Sequence, residues 1–168
     1  MQKEVIVAGF GGQGVLFSGQ LLAYTGMDED KDVTWIPSYG PEMRGGTANC
    51  TVVISDEEIG SPLVKNPTAA IVMNLPSLDK YEPLIKAGGT LVVNTSMVNR
   101  KVERKDITVV SIPANEIAEE IGSSRSANLV MVGALLGNMD LLPVEAVEAA
   151  LEAHMPARHK KFLAANKE

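Results

Sequence analysis

Four glycines near the start of the chain have the spacing of a turn that holds an anion. Residues 5–8 form an apolar stretch that leads directly into Gly9-Phe-Gly-Gly-Gln-Gly14, and a helical pattern follows. We expect Gly9 to permit a tight turn, Gly11 to let a ligand approach bare backbone, and Gly14 to let the helix pack on the strand. The first N–H groups of that helix would then face a negative charge, which the helix dipole favours. The candidate binding residues of this turn are Gly9, Gly11, Gly12, Gln13 and Gly14.

A second glycine-rich segment, residues 38–46, follows the next predicted strand and reads Ser38-Tyr-Gly-Pro-Glu-Met-Arg-Gly-Gly46. Arg44 can offer a bidentate guanidinium to a phosphate or carboxylate, and Glu42 can orient Arg44 or accept from an amine or hydroxyl. Ordinary turns seldom need Gly-Pro and Gly-Gly so close together, although a tight surface loop with solvated charges is the alternative. The candidate binding residues of this segment are Ser38, Tyr39, Gly40, Glu42, Arg44, Gly45 and Gly46.

Strand-like and helical segments alternate along the chain. Strands are predicted at residues 5–8, 33–36, 49–55, 69–73, 90–93 and 107–112, and helices at residues 15–25, 78–86, 114–121, 127–138, 144–153 and 158–165. This alternation predicts an α/β fold: a single-domain, Rossmann-like layered structure over residues 1–168, with a mostly parallel sheet and helices on both faces. In such folds ligands bind beyond the carboxyl ends of the strands. Both glycine segments, Asn74 and residues 94–96 directly follow predicted strands.

Composition excludes several classes of protein. Of 168 residues, 45% are hydrophobic and 21% are charged, which is typical of a globular chain. The net charge of −6 argues against binding to nucleic acid or to an anionic membrane, but it is compatible with a local site for a phosphorylated ligand. A single cysteine excludes an intrachain disulfide and a cysteine-ligated metal centre built by this chain alone. The chain shows neither a membrane-spanning run nor a signal-peptide pattern, so we expect a cytoplasmic protein.

Other polar residues have simpler interpretations. Ser126 is the expected N-cap of the helix at residues 127–138; Arg125 beside it is expected to be a solvated cation, with binding of an anion as the alternative. His154 and His159 have no metal-ligand spacing around them, so a solvated or partner-facing helix is expected there. Cys50 lies in a predicted strand and is expected to be a small core residue. No arrangement typical of a catalytic triad or of acid–base catalysis is found.

The first glycine turn does not fit a dinucleotide site well. Such a site needs an acidic residue about 20 residues after the last glycine, at the end of the second strand, to bind the ribose hydroxyls. The second strand here ends in Trp-Ile-Pro-Ser38, and the nearest acids are Asp32 before it and Glu42 within the following loop. Binding of another phosphate or anionic group, and a turn that serves only strand–helix packing, are the remaining interpretations.

Together the two glycine segments resemble the gamma subunit of 2-oxoacid:ferredoxin oxidoreductases. The likeness covers essentially the whole chain, and the second segment is most similar to the 2-oxoglutarate branch, with the branched-chain (ketoisovalerate) branch close behind. The resemblance implies a multi-subunit enzyme that oxidatively decarboxylates a 2-oxoacid, makes an acyl-CoA and reduces ferredoxin. It implies that the gamma chain contributes to the active-site and CoA region, and that the isolated chain is inactive.

The resemblance also implies which partners supply the cofactors. Thiamine diphosphate, magnesium and iron–sulfur clusters are expected in partner alpha and beta subunits, with a ferredoxin-like delta subunit where the complex has one. Coenzyme A is expected as a substrate of the complex, with no cofactor held by this chain alone and with no nucleic-acid or membrane partner. Two other functions remain open from the residues: an independent CoA- or nucleotide-binding regulatory module, and a small NAD(P)-dependent reductase.

Overall fold

The computed structural model describes residues 1–38 and 46–167. The strands in this part of the chain are β1 (Gln2–Phe10), β2 (Asp32–Ser38), β3 (Thr47–Ser55), β4 (Ala69–Val72), β5 (Thr90–Asn94) and β6 (Thr108–Ile112). The helices are α1 (Val15–Asp28), α2 (Leu75–Tyr81), α3 (Ala114–Glu120), α4 (Ala127–Asn138), α5 (Val144–His154) and α6 (Leu163–Lys167). Short 3-10 helices follow α2 at Glu82–Leu84 and precede α6 at Ala157–Phe162.

The strands form one sheet in the order β2-β3-β1-β4-β5-β6. The neighbours β1, β4, β5 and β6 are parallel, whereas β3 is antiparallel to both β1 and β2. Since β2 therefore runs in the direction of β1, only β3 is reversed, and the prediction of a mostly parallel sheet is confirmed. The reversal follows from the short connection between β2 and β3, because a parallel crossover needs roughly a dozen residues or more.

Helices cover both faces of the sheet, as predicted. Val5 and Val7 of β1 belong to one core cluster with residues of α1, α3, α4 and α5. Ile6 and Ala8, which alternate with them, belong to a second cluster with residues of α2. Because successive side chains of a strand point to opposite faces, a strand that is buried on both faces must be apolar throughout, as β1 is at these positions.

Helix α4 has the bounds that the sequence predicts. Because residues 127–136 are apolar nearly all round, this helix is expected in the core or at a subunit face, and Met131, Val132 and Leu135 are indeed buried in the first core cluster. None of the helices in the described residues combines the length and the apolar character that a bilayer crossing requires.

Two helices differ from the prediction. The helix expected at residues 78–86 begins earlier, because the side chain of Asn74 accepts a hydrogen bond from the N–H of Ser77 and so caps α2. It then changes to a 3-10 turn at Glu82–Leu84, which contains Pro83, a residue without an N–H to donate. The helix expected at residues 158–165 is divided into the 3-10 helix Ala157–Phe162 and α6.

Candidate functional site

The first glycine turn connects the end of β1 to the start of α1. Gly12 and Gly14 have φ angles of 91° and 76°, in the left-handed region that side chains with a Cβ rarely adopt. Gly14 is the N-cap residue of α1, and no side chain caps this helix start. The turn therefore needs glycine at positions 12 and 14 for backbone reasons, independently of any ligand.

Packing assigns different roles to Gly9 and Gly14 from those expected. A Cβ on Gly9 would lie 2.7 Å from the Cβ of Met73 and 3.0 Å from a methyl group of Val15, so Gly9 is the residue that lets α1 approach the sheet. A Cβ on Gly14 would lie 2.5 Å from Nδ2 of Asn128 in α4. The prediction that Gly14 allows helix–strand packing is wrong, because Gly14 contacts a neighbouring helix instead.

The side chain of Gln13 shapes the turn. Its Oε1 accepts a hydrogen bond of 2.6 Å from the N–H of Phe10, and its Nε2 lies 3.5 Å from the carbonyl oxygen of Met73. The backbone N–H of Gln13 also donates to the carbonyl oxygen of Phe10, at 3.2 Å. Gln13 thus holds the turn closed against the ends of β1 and β4.

The two glycine segments meet at the carboxyl edge of the sheet. The N–H of Gly11 donates a 3.1 Å hydrogen bond to the carbonyl oxygen of Gly46. Ser38 pairs with Asn49 and Phe10 pairs with Thr47, so the described ends of the second segment flank the end of β1. Because the Gly11 N–H is bonded inside the protein, it does not serve as a donor to a ligand in this arrangement. The predicted site residues Tyr39, Gly40, Glu42, Arg44 and Gly45 lie outside the described residues.

Polar residues that follow β5 have structural partners. Asn94 is fully buried, and its Oδ1 accepts from the N–H groups of Ser96 and Ala114, both at 3.2 Å. Its Nδ2 donates to Oδ1 of Asn115 at 2.9 Å. These bonds attach the end of β5 to the start of α3, so this side chain has no free polar atom for a ligand.

Asn74, two residues after the end of β4, is different. Asn74 is 1% exposed, and although its Oδ1 caps α2, its Nδ2 has no hydrogen-bond partner among the described residues. It lies at the same edge of the sheet as the two glycine segments, since β4 is parallel to β1.

A cavity of about 800 Å³ opens beside the glycine turn. Its walls are the turn at residues 12–14, the segment at residues 122–129 that leads into α4, and residues near the C-terminus that include Met155, His159 and Asn166. The sequence reasoning weighed Arg125 as an anion-binding residue against a solvated cation, but it did not place residues 122–129 around a cavity. The usable signal was Asn128, a polar residue in an otherwise apolar helix pattern.

Asn128 joins α4 to the glycine turn. It is 6% exposed, and its Nδ2 donates to the carbonyl oxygen of Gly14 at 3.2 Å and to Oγ of Ser18 at 3.1 Å. Both acceptors belong to the start of α1. The side chain therefore fixes the distance between the starts of two helices that border the cavity.

Ser126 occupies the predicted N-cap position of α4, but its side chain makes no cap hydrogen bond. Its Oγ lies 2.7 Å from Oγ of Ser123 and also donates to Oδ1 of Asn166. The serine thus ties the C-terminal helix α6 to the start of α4, over the cavity.

The structure also shows the surroundings of Cys50 and of His154. Cys50 is fully buried, and burial raises the pKa of its thiol to about 11, so it is the core residue that was expected rather than a nucleophile. His154 is exposed, as expected for a solvated or partner-facing helix, and its ring also stacks on Tyr24 with 4.3 Å between the ring centroids, while its Nε2 lies 2.9 Å from Oδ2 of Asp28. Within the described residues, no three His, Cys, Asp or Glu side chains are grouped as metal ligands.

Comparison with known proteins identifies relatives of this chain. A ketoisovalerate oxidoreductase subunit VorA from Methanothermobacter marburgensis is 42% identical over 135 residues, which are 80% of this chain but 28% of that protein. The chain therefore spans under a third of the length of this relative. A 2-oxoglutarate synthase subunit KorC from the same organism is 40% identical over 163 residues, which are 93% of this chain and 88% of that protein.

Solved structures show the same fold. A keto/oxoacid ferredoxin oxidoreductase gamma subunit from Geobacter sulfurreducens has a TM-score of 0.82 and 28% identity, covering 98% of this chain and 92% of that chain. A 2-oxoglutarate:ferredoxin oxidoreductase from Magnetococcus marinus has a TM-score of 0.86 at 23% identity, covering 98% of this chain and 29% of that one. The sequence profile of pyruvate ferredoxin/flavodoxin oxidoreductases matches residues 4–168. The chain belongs to the pyruvate ferredoxin/flavodoxin oxidoreductase family.

Proposed function

We propose that this chain is the gamma subunit of a multi-subunit 2-oxoacid:ferredoxin oxidoreductase. The enzyme oxidatively decarboxylates a 2-oxoacid, forms the acyl-CoA and passes electrons to ferredoxin. The observation that carries the proposal is the family match over residues 4–168, together with the gamma-subunit fold of the structural neighbour from Geobacter sulfurreducens. Because the relative with 40% identity is a 2-oxoglutarate synthase subunit, 2-oxoglutarate is the proposed substrate, and a branched-chain 2-oxoacid is the second candidate.

In this proposal the partner subunits hold the redox cofactors. Thiamine diphosphate would supply the chemistry of decarboxylation there, and iron–sulfur clusters would supply electron transfer. A cluster needs several cysteine ligands, and the one cysteine of this chain is buried in the core. The redox chemistry is therefore assigned to alpha and beta subunits, with a ferredoxin-like delta subunit where one exists, and the complex is proposed to be cytoplasmic.

The contribution of this chain is proposed at the carboxyl edge of its sheet. The 2-oxoglutarate:ferredoxin oxidoreductase from Magnetococcus marinus was solved with coenzyme A bound, which supports CoA as a substrate of the complex. The glycine turn at residues 9–14 and the segment at residues 38–46 would face the anionic groups of CoA or the 2-oxoacid. The uncapped start of α1 supports this role, since its dipole favours a negative charge.

Reconstitution tests the proposal. The chain is tagged and co-expressed with candidate subunits that bear a thiamine diphosphate signature, and ferredoxin reduction is measured with 2-oxoglutarate and CoA. We expect the chain alone to be inactive, the complex to be active, and the complex without this chain to lose activity. Purification that brings down no thiamine-dependent subunit, or full turnover without this chain, would contradict the proposal. Replacing 2-oxoglutarate by ketoisovalerate in the same assay decides between the two substrates.

Arg44 is the residue of the second segment that we expect to matter most in this assay. The substitution Arg44→Ala removes the fork that can bind a phosphate or carboxylate, so the apparent requirement for CoA or for the 2-oxoacid should rise, with little loss of folded protein. Arg104→Ala is the matched control, because Arg104 is far from Arg44 in the sequence and forms an ion pair with Asp106. Unchanged kinetics of the Arg44 variant would remove this segment from the site.

An independent nucleotide- or CoA-binding module is the second candidate function. The observation in its favour is that a cavity of about 800 Å³ is built by this chain without a partner. A chain that stays monomeric in the presence of every candidate subunit would favour the module. A dinucleotide-dependent reductase has less support, since the residue that ends β2 is Ser38 and not an acid.

A further inference from the structure

We propose that residues 158–161, here called the basic segment, form a docking surface for an acidic patch on a partner subunit. The segment lies on the 3-10 helix Ala157–Phe162, and its four residues are all exposed: Arg158, His159, Lys160 and Lys161. The inference rests on the proposed function, because it names the surface and the chemistry by which this chain would join its complex. It concerns a protein–protein contact and not the ligand of the cavity.

Charge is distributed unevenly over this chain. The net charge is −6, with 21 acidic residues, yet no Asp or Glu occurs in residues 155–167. Helix α5, which directly precedes this stretch, contains neither Lys nor Arg and carries three glutamates: Glu145, Glu148 and Glu152. A cluster of positive charge on a negatively charged protein creates a local potential that attracts a negatively charged surface. The basic segment therefore favours an acidic partner at this one place.

The cations of the basic segment are available to a partner. Lys167, which follows the segment, is already paired with Glu152. Arg158 and Lys160, by contrast, form no ion pair with any carboxylate of residues 1–38 and 46–167. A carboxylate of a partner can therefore form charge-assisted hydrogen bonds with these two side chains without first breaking an internal ion pair.

The backbone of the basic segment is held in place at both ends. Met155, before the segment, is buried in the first core cluster, and Leu163, after it, packs against the same cluster. Between them, the N–H of His159 donates a hydrogen bond of 2.8 Å to the carbonyl oxygen of Pro156. Because this backbone is already ordered, docking through it costs less conformational entropy than docking through a flexible tail.

The surroundings of the basic segment favour a protein partner over nucleic acid or an anionic membrane. A polyanion extends well beyond one short helix, so it would also approach the glutamates of α5, and these repel phosphate groups. A protein can instead place its carboxylates opposite the basic segment alone. Such local complementarity orients two proteins and accelerates their encounter.

The kinetics of assembly test the proposal. The tagged chain is immobilised, and the purified assembly of thiamine-dependent partner subunits is passed over it at about 0.1 M and at about 1 M salt, where the Debye length is about 10 Å and about 3 Å. We expect the association rate constant to fall as the salt concentration rises. The double charge reversal Arg158→Glu/Lys160→Glu should lower this rate constant about tenfold at the lower salt, and by much less at the higher salt.

The matched control is Lys65→Glu/Lys105→Glu, which changes the net charge by the same amount at two exposed lysines outside the basic segment. It should change the association rate constant by about twofold or less, since charges beyond a Debye length from the contact are screened. Because all four positions are exposed, each double variant should keep the circular dichroism spectrum of the unaltered chain.

Three results would overturn the proposal: equal losses in the two double variants, an Arg158/Lys160 variant that associates like the unaltered chain, and tighter binding of the unaltered chain to duplex DNA or to vesicles of anionic lipid than to the partner assembly. Failure of the unaltered chain to associate with any thiamine-dependent assembly would overturn the proposed function and this proposal with it. The behaviour of the unaltered chain therefore distinguishes the two failures.

Discussion

Replacing Gly14 by alanine should destabilise the fold much more than the same change at Gly12. Both residues have left-handed backbone angles, so each alanine variant carries a strain of about 1–2 kcal/mol. At Gly12 nothing lies within 4 Å of the added Cβ. At Gly14 the Cβ would lie 2.5 Å from Nδ2 of Asn128, so that buried side chain must move.

Moving Asn128 has a cost that the structure allows us to estimate. Its Nδ2 donates to the carbonyl oxygen of Gly14 and to Oγ of Ser18, and leaving a buried donor unsatisfied costs about 1–3 kcal/mol. We therefore expect Gly14→Ala to lower the free energy of unfolding by about 2–5 kcal/mol in total, and Gly12→Ala by the strain alone, about 1–2 kcal/mol.

Urea denaturation of the two variants, followed by circular dichroism, measures the difference. The double variant Gly14→Ala/Asn128→Ala provides a further check, because removing the Asn128 side chain also removes the collision. The two substitutions should then cost less together than the sum of their separate effects. Equal destabilisation at positions 12 and 14, or full additivity in the double variant, would refute the packing role assigned to Gly14.

Two further predictions concern buried groups elsewhere. Glu82 is 5% exposed, and although burial opposes its ionisation, the ion pair with Arg100 and the N–H groups of Glu103 and Arg104 hold the pKa of this carboxyl below its ordinary value of 4.5. The ionised Glu82 carboxylate contributes stability that is present above pH 4.5 and is lost as the pH falls through its lowered pKa. Glu82→Gln should therefore make the free energy of unfolding depend less on pH in the acid range. An unchanged dependence would contradict this. Cys50, buried and with its pKa raised to about 11, should not react with Ellman's reagent at pH 8 until urea unfolds the chain, and rapid labelling of the native protein would show that the core assignment is wrong.

The sequence predicted the architecture well because its signals are local and strong. The alternation of strand-like and helical segments predicted the mostly parallel sheet, the polar residues after several strands predicted its carboxyl edge, and α4 has the predicted bounds. The resemblance to oxoacid:ferredoxin oxidoreductase gamma subunits, carried by two short glycine motifs, is confirmed by the family match. Such motifs consist of glycines that the backbone conformation requires, at a fixed spacing, and both features can be read from a single sequence.

The parts that sequence reasoning missed depend on contacts between distant residues. Nothing in the local pattern shows that Gly14 meets Asn128, which lies in another helix, or that Ser126 bonds to Asn166 near the C-terminus. The contacts of His154 with Tyr24 and Asp28 of α1 were not predicted for the same reason, since they join helices that are distant in the sequence. The role of residues 39–45 stays a prediction.

The bond between Gly11 and Gly46 involves only main-chain atoms. Substitutions at residues 39–45 therefore delete neither the donor nor the acceptor of this bond. Proline at position 11 is the one natural replacement that would delete the donor. The side chains of residues 39–45 can be varied in the laboratory while the two main-chain groups that form the bond remain in the sequence.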